Sequence, residues 1–266
     1  MANHKESLKG KVAFITGASR GIGLATALRL AKEGASIAIA AKTDQPHPTL
    51  PGTIHTAKEA IEAIGGQALA LKVDIRDEEA IHTAVEQTAE HFGGIDILIN
   101  NASAINLTSL ENTSQKKYDL MHQINGRGSF LCAKHALKYL KKSKNPHILN
   151  ASPPLDMVNT PFGEICAAYT ASKILMTLWT LCLSKELQKD GIAVNSIWPT
   201  GAIDTAAIRN LMPGFLNDAK DPQIVADASY FILSQDASKV TGQCFIDEEV
   251  LKSHGVNDLS IYDIHH

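Results

Sequence analysis

Long apolar runs are missing from this chain: no stretch approaches the roughly 18 residues that a membrane-spanning helix requires, so membrane insertion is not expected. Residues 1–10 are polar with no apolar signal core, and residues 262–266 carry no peroxisomal tripeptide, which together predict a cytoplasmic protein. Cysteine is sparse. Cys132, Cys166, Cys182 and Cys244 lie far apart, with neither a Cys-x-x-Cys pair nor histidines at zinc-like spacing. That pattern argues against a metal centre or disulfide framework and predicts reduced core thiols. A basic excess is lacking too: 25 Lys and Arg against 28 Asp and Glu leave a net charge of -3, with no long basic run. Nucleic acid and anionic membrane surfaces are therefore poor partners, and a small-molecule ligand fits better. No internal repeat or low-complexity tract interrupts the chain.

What is present is a chain of 266 residues, 44% hydrophobic, enough to bury the core of one large domain over 1–266 with flexible ends at about 1–9 and 254–266. Strands read from residue 11, then over 36–41, 69–74, 95–102, 147–152, 192–198 and 243–247. Helical patterns read over 24–33, 57–64, 78–92, 118–140 and 168–187. This alternation implies an α/β fold of Rossmann type, a doubly wound parallel sheet with right-handed crossovers and flanking helices. Residues 200–222 lack strong periodicity and read as a mobile flap over a substrate.

The stretch from Lys11 to Gly23 organises the rest, because an apolar run breaks into a glycine-rich turn and then into a helical pattern. Gly17, Gly21 and Gly23 let the backbone turn sharply and approach a ligand, and the free N–H groups at the helix start face an anion. Gly17, Ser19, Arg20, Gly21, Ile22 and Gly23 are thus candidate nucleotide contacts, with a plain structural turn as the alternative. The second strand closes on Ala41 and Lys42, where an acidic side chain would bind the ribose 2′-OH of NAD. With no carboxylate there, and with Lys42 and Arg20 available to a 2′-phosphate, the sequence favours NADP(H) over NAD(H); two solvated surface cations are the alternative, and Asp44 is the nearest competing acid. The loop 43–52 holds three prolines and ends in Gly52, which excludes a helix and places it beside the adenosine end; His47 and His55 either touch a phosphate there or are exposed. Asp74, at the end of the third strand, either accepts from the adenine amine or marks a helix start, for which Asp77 is the better cap. Asn100 and Asn101 close the fourth strand with amides suited to backbone groups or ligand edges. Lys138, Lys141, Lys142 and Lys144 read as a solvated helix end.

Tyr169 and Lys173, four residues apart, share one face of the long helix. Taken with Thr16 to Gly23, Asn100-Asn101-Ala102, Asn125 and Asn195 in that order, they make the chain resemble the short-chain dehydrogenase/reductase family over nearly its whole length. The resemblance implies hydride transfer between the nicotinamide C4 and a carbonyl carbon, with Tyr169 exchanging the proton on oxygen. It further implies that Lys173 binds the nicotinamide ribose and biases Tyr169 toward phenolate, that Asn125 holds a water linking Lys173 to solvent, and that Asn101, Ala102 and Thr205 meet the cofactor, Thr205 at the carboxamide. A homodimer or homotetramer through the helices of Asn125 and Tyr169 is also implied. Lowering a phenol from a pKa of about 10 to about 7 needs roughly 4 kcal/mol. One ammonium at about 4 Å supplies roughly 1 kcal/mol in water and about 4 at an effective dielectric near 20, so the site must be partly desolvated.

Three departures from the family pattern stand out. The usual catalytic serine is replaced by Pro153, leaving Ser152 either to polarise the carbonyl or to cap the turn. The glycine after Asn-Asn-Ala is Ser103, and the Pro-Gly turn after the sixth strand is Pro199-Thr200; both narrow the space beside the nicotinamide. The expected function is an NADP(H)-dependent oxidoreductase interconverting a carbonyl and a secondary alcohol, on an apolar or lipid-like substrate. The alternative, motivated by Pro153, is an NADP-binding regulatory or scaffold protein with little catalysis.

Overall fold

The computed structural model describes residues 8–159 and 166–264. Seven strands, β1 (Val12–Thr16), β2 (Ser36–Ala41), β3 (Gln67–Lys72), β4 (Ile97–Asn100), β5 (His147–Ala151), β6 (Ala193–Trp198) and β7 (Cys244–Ile246), form one sheet in the order β3-β2-β1-β4-β5-β6-β7. Every pairing is parallel. Between β1 and β4 the winding reverses, which opens a crevice at the carboxyl ends of those two strands.

Side-chain alternation divides the core between the two faces of the sheet. Ala13 and Ile15 of β1 and Ile37 and Ile39 of β2 pack on one face with α1 (Gly21–Lys32), α2 (Ile54–Ala63), α8 (Gln223–Leu233) and α9 (Asp247–Ser253). Phe14, Ala38 and Ala40 point to the other, where they meet α3 (Glu78–Phe92) and α5 (Ser129–Leu140). β2 and α3 fall where the sequence sets them. Asp77 caps α3 by accepting from the backbone N–H of Glu79 (3.0 Å) and Ala80 (3.2 Å), and Gly93 ends it in a left-handed conformation.

Elsewhere the structure corrects the reading. α2 starts at Ile54, because Thr53 and Thr56 form a reciprocal capping box. The helix expected over 118–140 is α4 (Gln115–Met121), then a wide π-helical turn (His122–Gly128), then α5. Residues 200–222 are not irregular throughout: they hold the short helix α7 (Ala206–Leu211), capped by Thr205, and Lys220 bridges to both Ile203 and Asp263. α8 and α9 carry no counterpart in the sequence reading. Within the stretch expected to be flexible from residue 254, Tyr262 is buried and its hydroxyl donates to Asp227 (2.8 Å). Of the four free thiols, Cys132 and Cys166 are buried, whereas Cys182 is exposed on α6 (Ala167–Glu186). Among the described residues no cluster could hold a metal ion and no helix is long and apolar enough to cross a membrane.

Candidate active site

Thr16 stitches the crevice together. Its Oγ1 accepts from the N–H of Asn101 (3.0 Å) and of Ala102 (3.0 Å) and donates to the carbonyl of Ile99 (3.3 Å). The Asn101 amide donates in turn to the carbonyls of Thr16 (3.0 Å) and Gly17 (3.2 Å), so β1, its turn and the end of β4 form one hydrogen-bonded unit. Gly17 sits at φ +69°, and a Cβ there would stand 2.8 Å from Ala102 Cα; at Gly23 it would stand 2.5 Å from Asn101 Nδ2. No side chain fits either position.

A cavity of about 500 Å³ opens along this turn. Gly17, Ser19, Arg20, Gly21, Ile22, Gly23, Lys42, Asp74, Asn101, Ala102 and Thr205, the expected nucleotide contacts outside the Tyr169–Lys173 pair, all line it. Leu50, Ile75, Ile124 and the α7 residues Asn210 and Leu211 line it too, and sequence reading missed them. The Thr205 cap was the available signal for α7.

Several charges around the cavity are already engaged. Arg20 donates from Nε to the carbonyl of Pro51 (2.7 Å) and from Nη2 to that of Gly52 (2.8 Å), so it clips the 43–52 loop onto the glycine turn. Asp44, the competing acid, is paired with Lys72 at 2.8 Å. Asp74 faces the Arg76 guanidinium (2.9 and 2.5 Å), which holds its carboxyl below the usual range, and it does not cap α3. His47 bonds only locally, to Thr49.

The second group lies deeper and is absent from the cavity wall. Tyr169 is 8% exposed, Lys173 2%, and Asn125 and Ser152 0%. The π-helical turn aims Asn125 at the chain after β4: its Oδ1 accepts from Ala104 N–H (2.8 Å), and its Nδ2 donates to the Ala104 carbonyl (2.9 Å) and to Ser172 Oγ (2.9 Å). Ser172 donates onward to the Tyr169 carbonyl (2.7 Å). Both amide hydrogens of Asn125 are thus committed to protein, which argues against a side-chain water relay and makes the residue a brace for α6.

Lys173 Nζ meets Met176 Sδ at 3.6 Å and lies 5.4 Å from the centre of the Trp198 ring. With no carboxylate beside it among the described residues, burial pushes its pKa down to about 7. Burial pushes the Tyr169 phenol up, opposed by a hydrogen bond from Ser103. Ser152 Oγ is buried without a partner among the described residues, and the Pro153 carbonyl accepts from Thr177 Oγ1 (2.6 Å). Asn195 bonds the Val240 carbonyl and the Gln243 N–H, fastening β6 to the approach of β7. Thr200, at the altered Pro-Gly turn, is held through its N–H (2.8 Å) and hydroxyl (2.9 Å) by the buried Asp247.

Residues 11–214 match the family model for short chain dehydrogenases. The chain is 51% identical over 258 residues to human (Homo sapiens) hydroxysteroid dehydrogenase-like protein 2, an alignment covering 97% of this chain and 61% of the relative. The chain therefore spans about three fifths of the length of the curated relatives it matches. Ala40 to Thr43 with the prolines that follow, and Ile148 to Pro154, carry that likeness in the sequence. A short chain dehydrogenase structure from Mycobacterium thermoresistibile superposes with a TM-score of 0.90 at 46% identity, covering 96% of this chain and 91% of the other. One from Mycobacterium paratuberculosis, bound to NAD, superposes with a TM-score of 0.78 at 25% identity, covering 90% and 97%.

Proposed function

Because the chain belongs to the short-chain dehydrogenase family, we propose that it is an NADP(H)-dependent oxidoreductase interconverting a carbonyl and a secondary alcohol. The observation that carries this reading is a glycine-turn cavity together with a buried Tyr169 and Lys173 on a helix that Asn125 and Ser172 tie to the chain after β4. A nicotinamide bound there supplies or accepts the hydride. The residues of this chain fit such a group: Gly17 and Gly23 leave the backbone bare where Cβ atoms would clash, and the start of α1 turns its N–H groups toward the cavity. Tyr169 exchanges the proton on the substrate oxygen, and Lys173, protonated once ribose hydroxyls approach it, favours the phenolate. Asn125 and Ser172 keep α6 in register with the strand end.

Preference for the 2′-phosphate is supported by Ala41 and Lys42 at the end of β2 and by the diversion of Asp44 to Lys72. Arg20, fixed by two loop carbonyls, orders the pocket edge and presents its remaining N–H groups. An apolar substrate is supported by the exposed Leu155, Val158, Leu211 and Phe215 on segments following β5 and β6. Exposed Tyr118, Phe130 and Leu178 on α4, α5 and α6 support a homodimer or homotetramer, which light scattering checks.

A second reading, cofactor binding with little catalysis, draws on Pro153 at the serine position and on the sealed Ser152 hydroxyl. One experiment separates the two: a panel of ketones and secondary alcohols is screened with NADP(H) and NAD(H), on wild type and Tyr169→Phe. Turnover with NADP(H) that collapses in the variant supports the oxidoreductase. Tight cofactor binding with no turnover supports the second reading.

A further inference from the structure

Lys173 is buried with soft groups rather than a charge facing its Nζ. Met176 Sδ, three residues on along α6, stands 3.6 Å away, and the Trp198 ring, brought in from β6, lies beneath the Nζ with its centre 5.4 Å off. The same ring packs against the apolar cluster of Met121, Cys166 and Tyr169, so one side chain borders the surroundings of both members of the pair. Its backbone is fixed: Trp198 pairs with Ile246 of β7, and two residues on Thr200 is held by Asp247. Other charges are turned elsewhere. On the elements packed against α6, Asp119 acts on His122, whose ring meets Tyr118 (centres 4.2 Å apart), His135 meets Glu78 (3.1 Å), His147 meets the Gln235 carbonyl (3.1 Å) and Asp190 meets Lys141 (3.1 Å). Among the described residues no charged group acts on Lys173, whose titratable neighbour is the Tyr169 phenol on the same helix face.

Resting on the oxidoreductase reading above, we propose that Trp198 is a positioning residue of the catalytic pair, its ring face serving Lys173 in place of a counter-ion: it holds the Nζ and favours the ammonium over the free amine. An aromatic face attracts a cation within about 6 Å of its centre, Trp more strongly than Phe, and more so where water is excluded. The ring carries no net charge and takes no proton. A carboxylate in its place would keep Lys173 charged throughout the working pH range and compete for it with ribose and phenolate. The indole gives a weaker bias, so Lys173 stays able to gain a proton as the nucleotide arrives.

The first arm of the test leaves position 198 intact. Trp179, the chain's other tryptophan, is replaced by Phe, and the emission of Trp198 is followed from about pH 5 to about pH 9 without cofactor. It should titrate with a midpoint near 7, where burial sets Lys173, and Lys173→Met should abolish the step while Tyr169→Phe leaves it. The second arm measures the Kd of NADP(H) across the same range in wild type, Trp198→Phe and Trp198→Leu. Affinity that depends on the ammonium falls as that group loses its proton. The onset of the fall should move down by about one pH unit in Trp198→Leu, an about tenfold loss of ammonium above pH 7, and by less in Trp198→Phe. Emission without a Lys173-dependent step overturns the proposal. So does a weakening by the same factor at every pH, which marks a ring that only packs. Absence of turnover on the whole panel, in a protein whose two titrations behave as expected, would overturn the parent reading alone.

Discussion

The two ends of the crevice are built differently. The glycine end is open, formed largely by backbone and cross-braced by Thr16 and Asn101, so it is ready for a ligand as it stands. The Tyr169 end is closed and made of side chains whose charges are suppressed by burial: the phenol is pushed up and the Lys173 ammonium down to about 7. A site can be geometrically complete at one end and electrostatically unfinished at the other. On the proposed function, binding at the first end would set the protonation of the second.

Breaking the deep end should cost most. Tyr169→Phe removes the exchangeable proton and should lower turnover by about 10³-fold with cofactor affinity nearly unchanged, since general acid–base groups contribute typically 10² to 10⁴; parallel losses of affinity and rate would show that the phenol holds the cofactor instead. Breaking the shallow end should reverse the pattern. Gly17→Ala places a Cβ against Ala102 Cα and forces a side chain to φ +69°, costing on the order of 1–3 kcal/mol. Its urea midpoint should drop and NADP(H) affinity should weaken at least tenfold, and an unaltered titration would mean the turn does not contact the nucleotide. A smaller effect sharpens the contrast within the shallow end: Lys42→Glu should cut the preference for NADP(H) over NAD(H) by about tenfold, measured as the ratio of the two Kd values. Equal loss for both cofactors would remove Lys42 as a selector.

A separate effect, on stability and not on catalysis, lies away from the site. Burial holds the His147 imidazole down at about 4, while in the unfolded chain it titrates near 6.5. Between those values the unfolded state binds more protons, so this contribution is fully present above about 6.5 and is lost as pH falls toward 4, on the order of 3 kcal/mol in all. Urea denaturation of wild type and His147→Gln across that window should show a shallower pH dependence in the variant; parallel curves would refute it.

Much of the fold was legible because period-2 and period-3.6 patterns were punctuated by residues with defined roles, as Gly34 stops α1 and Asp77 starts α3. Boundaries failed where the determinant was not a residue type. The π-helical turn around Asn125 is a shift in hydrogen bonding with no composition of its own, and Thr53 with Thr56 makes a capping box without the usual Glu or Gln. Within the site, the glycine turn was readable from local spacing. The Arg20 clip, the Asp44–Lys72 pair and the bond between Asn125 and Ser172 join residues distant in sequence, and only tertiary structure brings them together. Arg20 is thus a loop clasp in this structure, with further N–H groups left over.

The link between the two ends is tested most directly by calorimetry of NADP(H) binding at pH 8 in two buffers of different ionisation enthalpy, comparing wild type with Lys173→Met. Free Lys173 is largely neutral at that pH, and ribose hydroxyls drawn to its Nζ favour the ammonium, so wild type should take up about one proton more than the variant on binding. Equal uptake in the two proteins would contradict the claim that filling the glycine end charges the catalytic one.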